Sequence, residues 1–349
     1  MINDTPERYL QLDVENLYAM IQGLPGQLTR AWKAGMEYAL PKAREYRGIV
    51  FSGMGASAAC ADLLAAAVET VCPTPLWVLR GYDLPQWVQG EDILFVALSF
   101  SGETEETISA FQQAVERGCT LTAIGQGGTL AEMAREARAP FWQVGEAGRA
   151  RNLVGWGFGL GLALLHRLGL VPDAEADLRQ AVEEMETAQA HFAREKLPAE
   201  NPAKRMAGQM MGRFNCFFAA EFLEPAARRW KTQVNETAKA WAQMESIPEA
   251  DHNTLEGVRQ PEELLGQTMM VFFQSDLYRE ENRSRVAITR RMLMLEGLGT
   301  DMINARGSSR LAQMWTTVLY GDYVAYYLAI FNGVDPSPVE LIRELKEQL

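Results

Sequence analysis

The sequence has little of what metal sites and disulfide frameworks are built from, with four cysteines and three histidines in 349 residues. The cysteines are Cys60, Cys72, Cys119 and Cys216. They form no CxxC pair and do not have the spacing of a metal-ligand set. The pattern argues against a disulfide-stapled secreted domain and a zinc ribbon, and predicts small buried thiols in a reducing compartment.

Long apolar runs are also missing. No stretch approaches the roughly 18 consecutive apolar residues that a membrane-spanning helix needs. The first eight residues lack the basic region and apolar core of a signal peptide. We therefore expect no membrane segment and a cytoplasmic location.

Positive charge is scarce as well, since 33 Lys and Arg stand against 45 Asp and Glu, for a net charge of −12. No basic cluster stands out, so the surface repels a nucleic-acid backbone and we expect no nucleic-acid partner. A small anionic ligand remains compatible, because a few local donors inside a cleft override the overall charge.

The residues that are present describe an ordinary globular protein, 48% apolar and 22% charged. A chain of 349 residues exceeds what one hydrophobic core usually serves, so the length favours two domains. We predict an N-terminal domain with leading helices over 1–170, a helical linker over 171–200, and a C-terminal domain over 201–349.

Short apolar segments alternate with helical ones in both halves. Residues 8–45 have helical periodicity and predict one or two leading helices. Predicted strands follow at 48–52, 75–79, 92–99, 121–125, 141–144, 214–220, 268–273 and 300–304. Predicted helices lie at 56–71, 103–117, 153–168, 173–195, 225–244, 280–298 and 311–331. This alternation predicts an α/β protein of two similar domains, each with a parallel sheet covered on both faces by helices.

Two turns at predicted strand ends carry glycine and hydroxyl residues. The first, Ser52-Gly-Met-Gly-Ala-Ser57, opens a helix, so its backbone amides can face an anion. The same letters satisfy the dinucleotide pattern G-x-G-x-x-A, which calls for an acidic residue after the next strand. That strand is followed by Arg80, with Asp83 beyond the usual place, so a nicotinamide cofactor is the weaker alternative.

The second turn, Ser99-Phe-Ser-Gly-Glu-Thr104, places three hydroxyl groups around a glycine where another helix begins. A single serine there would be read as a helix cap, with a following glutamate completing a capping box. Three hydroxyls favour a compact phosphomonoester instead. Both turns follow strands of one parallel sheet, whose carboxyl ends are where ligands bind in such folds.

Taken with three further segments, these turns resemble the bifunctional phosphoglucose/phosphomannose isomerases of the sugar isomerase (SIS) superfamily. The further segments are Arg-Arg-Trp-Lys-Thr-Gln-Val-Asn-Glu-Thr-Ala-Lys at 228–239, Ala-Asp-His-Asn at 250–253, and the stretch at 321–336 that ends Asn-Gly-Val-Asp-Pro. The resemblance implies two SIS domains, a homodimer whose active site lies between domains and subunits, a hexose 6-phosphate substrate, and neither metal nor cofactor.

The resemblance also implies roles for individual residues. The phosphate ligands would be Ser57, Ser99, Ser101 and Thr104, with Gly55 in the first of the two turns. Glu236 matches the base that moves a proton between adjacent carbons. Arg151, favoured over Arg149 by the Gly-aromatic pair that follows, faces the reacting carbons.

His252 matches the family's ring-opening histidine. This residue could act in the active site of the partner subunit, donated across the interface. Lys346 is the candidate for the C-terminal lysine, although a solvated charge explains it equally well. Independently of the resemblance, a carboxylate near an arginine suits enediolate chemistry, and a histidine suits acid–base work near neutral pH.

Three positions depart from the family pattern: Ala56 replaces a glycine, Thr254 a glutamate, and Ser337 a threonine. The Ala56 methyl could crowd the sugar or distort a turn that needs positive φ. Because the hydroxyl region of Ser337 is associated with room for the C2 epimer, the choice between glucose and mannose stays open. The other alternative is a non-catalytic SIS module that binds a sugar phosphate as a sensor, against which Glu236, Arg151 and His252 speak.

Overall fold

The computed structural model describes residues 4–348, which divide into two compact units. The first unit runs from Gly23 to Glu183; the second combines the chain up to Gln22 with residues from Glu184 onward. The units divide after Gln22 and after Glu183, and the domain limits at 170 and 200 stay a prediction.

The first unit contains a five-stranded, fully parallel sheet in the order β2-β1-β3-β4-β5. The strands are β1 Gly48–Ser52, β2 Leu76–Leu79, β3 Ile93–Ser99, β4 Thr120–Gly125 and β5 Phe141–Gln143. Every residue of β1 and β3 is buried, as expected for central strands with helices on both faces.

The second unit repeats this design with four parallel strands in the order β7-β6-β8-β9. Their limits are β6 Phe214–Ala220, β7 Ala242–Ile247, β8 Thr268–Gln274 and β9 Gly299–Asn304. The two parallel sheets confirm the predicted α/β class.

Fourteen α-helices occur within residues 4–348. They are α1 Pro6–Leu12, α2 Leu17–Gln22, α3 Leu24–Gly35, α4 Gly55–Val68, α5 Glu105–Glu116, α6 Gly128–Glu136, α7 Val154–Arg167, α8 Glu175–Gln189, α9 Pro202–Met210, α10 Glu224–Ala238, α11 Thr254–Gly257, α12 Glu280–Leu295, α13 Arg310–Asn332 and α14 Glu340–Gln348. None of them is long and apolar enough to cross a lipid bilayer.

The predicted helix over 225–244 is wrong at its C-terminal end. Helix α10 stops at Ala238 because Lys239 adopts the left-handed conformation, with φ of 54°, and caps the helix. The chain then enters β7, a strand that the periodicity did not reveal. The backbone amide of Ala242 donates to the side chain of Asn235 at 3.0 Å, which ties the new strand to the helix it leaves.

The leading helices differ from the expectation too. Three helices replace the predicted one or two, and α1 and α2 pack against α13 within the second unit. Asp13 accepts hydrogen bonds from the Leu17 amide at 2.6 Å and from the Tyr326 hydroxyl at 3.1 Å. Tyr9 stacks on Tyr326 with ring centroids 6.2 Å apart.

Three of the four cysteines, Cys60, Cys119 and Cys216, are buried as predicted, whereas Cys72 is half-buried.

A buried ion pair joins the two long helices of the second unit. Arg229 on α10 donates to Asp322 on α13 at 2.7 Å, and the side chains are 2% and 4% exposed. Burial raises the pKa of Asp322, while Arg229 opposes that rise. Removing one partner would therefore leave the other charge buried without its counter-ion.

We expect Arg229→Met to lower the free energy of unfolding by about 3–5 kcal/mol, because it strands a buried carboxylate. Urea denaturation followed by circular dichroism measures this. Arg259, paired with Glu296 at 3.3 Å and 65% exposed, supplies the matched control, and Arg259→Met should cost under about 1 kcal/mol. Equal costs for the two substitutions would contradict the role of burial.

Candidate active site

The hydroxyl-rich turn at the end of β3 is a closely bonded structure. Ser99 is fully buried, and its Oγ accepts from the backbone amide of Gly102 at 3.1 Å. The same Oγ lies 3.0 Å from Oγ1 of Thr104. Ser101 is exposed, and its Oγ accepts from the amide of Glu103 at 3.2 Å. The three predicted hydroxyls therefore surround one short loop before α5.

Thr104 occupies the N-cap of α5, but its hydroxyl makes no capping hydrogen bond to the helix. It is engaged with Ser99 instead, so the capping-box interpretation does not describe this turn. The amides of the first helical turn carry the positive end of the helix dipole and have no side-chain cap. An anion is the ligand that such an arrangement favours.

Glu103 fixes the turn to the neighbouring loop, a role that we did not predict from the sequence. Its carboxylate accepts from the amide of Thr129 at 2.8 Å and from the Thr129 hydroxyl at 2.7 Å. These hydrogen bonds lower the pKa of Glu103. The position of Glu103 inside a hydroxyl-rich turn was the sequence signal for this role. A carboxylate beside a candidate anion site would repel the anion unless it had a hydrogen-bonding partner of its own.

Gly102 is required where the two loops meet. It has φ of 73°, and a Cβ atom on it would lie 1.9 Å from the carbonyl oxygen of Gly127. Any other residue would be strained and would push the loops apart. The backbone amide of Leu130 donates to the carbonyl of Gly102 at 3.0 Å, which closes the contact.

The glycine turn follows β1 and begins α4. Ser57 lies in the first helical turn and is 6% exposed. The positive φ that we associated with Ala56 falls on Gly55, at 50°, and Ala56 is not among the positive-φ residues, so the predicted distortion of the turn is wrong. Crowding of the sugar by the Ala56 methyl stays a prediction. Arg80, at the end of β2, forms an ion pair with Asp62 on α4.

Arg151 is placed just before α7, in the 3-10 turn Ala150–Asn152. Its side chain is 5% exposed, whereas Arg149 is only half-buried. An arginine this well buried has a defined position, which is what electrostatic stabilisation of a reaction centre requires. Arg151, the turn Ser99–Thr104 and the turn with Ser57 all belong to the first unit.

Glu236 belongs to the second unit and lies in the last turn of α10. It is half-buried and lines a cavity of about 770 Å³ formed with Lys239, Trp241 and the segment 334–342. Lys239 Nζ donates to the backbone carbonyl of Glu236 at 2.5 Å. The carboxylate of Glu236 thus lies on the wall of a cavity large enough for a small metabolite.

His252 and Lys346 also belong to the second unit, but neither lines this cavity. His252 is exposed at the end of the 3-10 turn Glu249–His252, and Lys346 is exposed on α14. Neither residue therefore shares the wall of this cavity with Glu236. Ser337, by contrast, is 2% exposed, and its amide donates to the Asp335 carboxylate at 2.8 Å.

Potential metal ligands do not gather in the part of the chain that the structure describes. Residues 4–348 contain no group of three or more His, Cys, Asp and Glu side chains arranged to hold an ion.

The fold and these turns define a class of protein. Two parallel sheets, the first with glycine- and hydroxyl-rich turns at its carboxyl end, are what the resemblance to SIS proteins implied. Residues 199–349 match the model of the bacterial phospho-glucose isomerase C-terminal SIS domain.

Curated relatives narrow the class to a family. A bifunctional phosphoglucose/phosphomannose isomerase of Caldicellulosiruptor bescii is 30% identical over 95% of this chain and 98% of its own. One from Aquifex aeolicus is 30% identical over 96% and 99%, respectively. The chain belongs to the bifunctional phosphoglucose/phosphomannose isomerase family, as the sequence motifs indicated.

A solved structure agrees with the fold. A glucose-6-phosphate isomerase like protein from Thermus thermophilus superposes with a TM-score of 0.64 at 20% identity. The match covers 97% of this chain and 98% of that one.

The contact at Gly102 predicts a measurable loss of anion binding. We expect Gly102→Ala to weaken inhibition by inorganic phosphate at least about tenfold, since the displaced loop would misplace Ser99 and Thr104. Gly118→Ala is the matched control, because Gly118 also has positive φ, 67°, but open space around it. It should cost only the left-handed strain of about 1–2 kcal/mol. Unchanged inhibition by phosphate in a folded Gly102→Ala protein would refute the assignment of the turn Ser99–Thr104 as the anion site.

Proposed function

We propose that the protein interconverts fructose 6-phosphate with glucose 6-phosphate, mannose 6-phosphate or both, through an enediolate. The observation that carries this proposal is the hydroxyl turn, where Ser99 and Thr104 lie 3.0 Å apart at the uncapped start of α5. A compact phosphomonoester fits neutral donors at a helix N-terminus. The names of the two relatives support the hexose phosphate as substrate.

The proton transfer is assigned to Glu236. Isomerisation removes a proton beside a carbonyl and returns it to the adjacent carbon, so one carboxylate serves both steps. Half-burial on the wall of a cavity suits this task, because the group stays reachable by substrate while bulk water is reduced.

The remaining roles follow from charge and acidity. Arg151 is assigned to the oxyanion of the enediolate, since a buried cation stabilises developing negative charge without reorganising. His252 is assigned to ring opening, because histidine commonly serves as a general acid or base in catalysis. Lys346 remains the weaker assignment, on an exposed helix. We propose that no metal ion or organic cofactor takes part.

The base is tested with Glu236→Gln, which keeps the shape of the side chain but cannot accept the proton. We expect kcat to fall by about 10²–10⁴-fold with the protein still folded. Activity is measured by coupled assays on fructose, glucose and mannose 6-phosphates, which also determine the accepted epimers. Glu224→Gln, the same substitution in the first turn of the same helix, is the control and should change kcat by less than about twofold.

Turnover of Glu236→Gln at the wild-type rate would exclude this mechanism. Wild-type protein that binds a hexose 6-phosphate without converting it would instead support the sensor alternative. Binding of a nicotinamide cofactor, detected as a thermal shift, would support the other alternative, a nicotinamide-dependent enzyme.

We further propose a cytoplasmic homodimer in which His252 acts in the partner's site. Exposure of His252 on a 3-10 turn is consistent with donation to a second copy.

Inactive Glu236→Gln and His252→Ala proteins, mixed and reassembled, would then form heterodimers with one intact site. Recovered activity approaching about a quarter of wild type would support donation, by random pairing of equal amounts. No recovery in verified heterodimers would place His252 in its own subunit's site.

A further inference from the structure

The 3-10 turn that carries Arg151 is held from one side by a buried glutamine. Gln27 on α3 is 1% exposed, and its Nε2 donates to the carbonyl oxygen of Asn152 at 2.7 Å. Only the amide nitrogen can make this contact, because the other group is a carbonyl. A side chain 125 residues away therefore fixes the peptide group between Asn152 and Leu153, one residue beyond Arg151.

From the other side the segment is held by a buried thiol. Cys60 on α4 is 1% exposed, and its Sγ lies 3.4 Å from the carbonyl oxygen of Val154. The same sulfur lies 3.1 Å from the carbonyl oxygen of Ala56, in the first turn of α4 and next to Ser57. The thiol thus lies between the glycine turn of the candidate phosphate site and the first residue of α7, and its single S–H can donate to either of the two carbonyls.

Glycines in α7 allow α3 and α4 to pack closely against it. A Cβ atom on Gly155 would lie 2.9 Å from Cβ of Gln27, and one on Gly157 would lie 2.6 Å from Sγ of Cys60. One turn on, Gly159 would meet Ala31 of α3 at 2.7 Å, and Gly161 would meet Leu64 of α4 at 2.7 Å. Alternate glycines therefore serve two different neighbours, α3 and α4.

We propose that Gln27 and Cys60 are positioning residues for Arg151, an inference that rests on the proposed isomerase function. Both hold carbonyls within three residues of Arg151, and neither is in the proposed phosphate or proton-transfer groups. The end of a long arginine side chain is only as well placed as the backbone that carries it. A displacement of about 1 Å at a reacting group lowers catalysis by up to about 100-fold.

Gln27→Met tests the glutamine, since it keeps length and volume but cannot donate. We expect kcat to fall about tenfold while KM and inhibition by inorganic phosphate change by less than about twofold, because the phosphate turns are untouched. Gln113 donates to the carbonyl of Tyr82 at 2.9 Å in the same unit, so Gln113→Met is the control and should leave kcat unchanged.

The thiol is tested by a pair of substitutions. Cys60→Ser keeps a hydrogen-bond donor and should retain most of kcat, whereas Cys60→Ala should lower it about tenfold. Cys119→Ala, another buried thiol in the first unit, controls for loss of volume and should leave kcat unchanged. If Gln27→Met does not fold, as judged by circular dichroism, the two Cys60 proteins decide the question.

A double-variant cycle separates positioning from general stability. In an Arg151→Lys background, Gln27→Met and Cys60→Ala should change kcat by less than about twofold, since the group they position is gone. A full effect in that background, or wild-type kcat in both folded single variants, would overturn the inference. Failure of the proposed function is recognised separately, because wild-type protein would then convert no hexose 6-phosphate.

Discussion

The close approach of two loops at Gly102 is the constraint on which the candidate phosphate site depends. With the carbonyl of Gly127 only 1.9 Å from where a Cβ atom would lie, the backbone fills the space that any side chain would need. The turn is thereby fixed at the start of α5, and Ser99 and Thr104 bond to each other within it. The Thr104 hydroxyl does not cap the helix, and in the proposed site it would bond to an anion instead.

Most of the fold could be predicted because its central strands are continuous apolar segments between glycines and helices. Strands β1 and β6 match their predicted limits. The failures have two physical origins. Strand β7 was hidden behind a helix whose end depends on one left-handed residue, Lys239, which has no reliable sequence signature. The packing of α1 and α2 in the second unit depends on tertiary contacts such as Asp13 with Tyr326.

The site was predictable to the extent that it is local in sequence. The hydroxyl turn is one loop, and its three hydroxyls are where the motif indicated. Residues that act through distant packing were not found: Glu103 bonds to Thr129 in a neighbouring loop, and Gln27 bonds to Asn152 across 125 positions. The alternate glycines of α7 were visible, but their purpose is evident only when α3 and α4 lie against them.

The overall charge of −12 is compatible with the proposed phosphate ligand because of the kind of hydrogen-bond donor at the turn. Hydroxyls and backbone amides attract an anion at contact distance and contribute no net charge, so the site needs no basic cluster. The acidic residue inside the turn, Glu103, has its charge satisfied by Thr129. Among the proposed active-site groups, Arg151 supplies a buried positive charge, which makes its exact placement more important than it would be in a site rich in cations. In the proposed mechanism, Gln27 and Cys60 hold the backbone that carries Arg151. The glycines of α7 leave the space that these two buried side chains occupy.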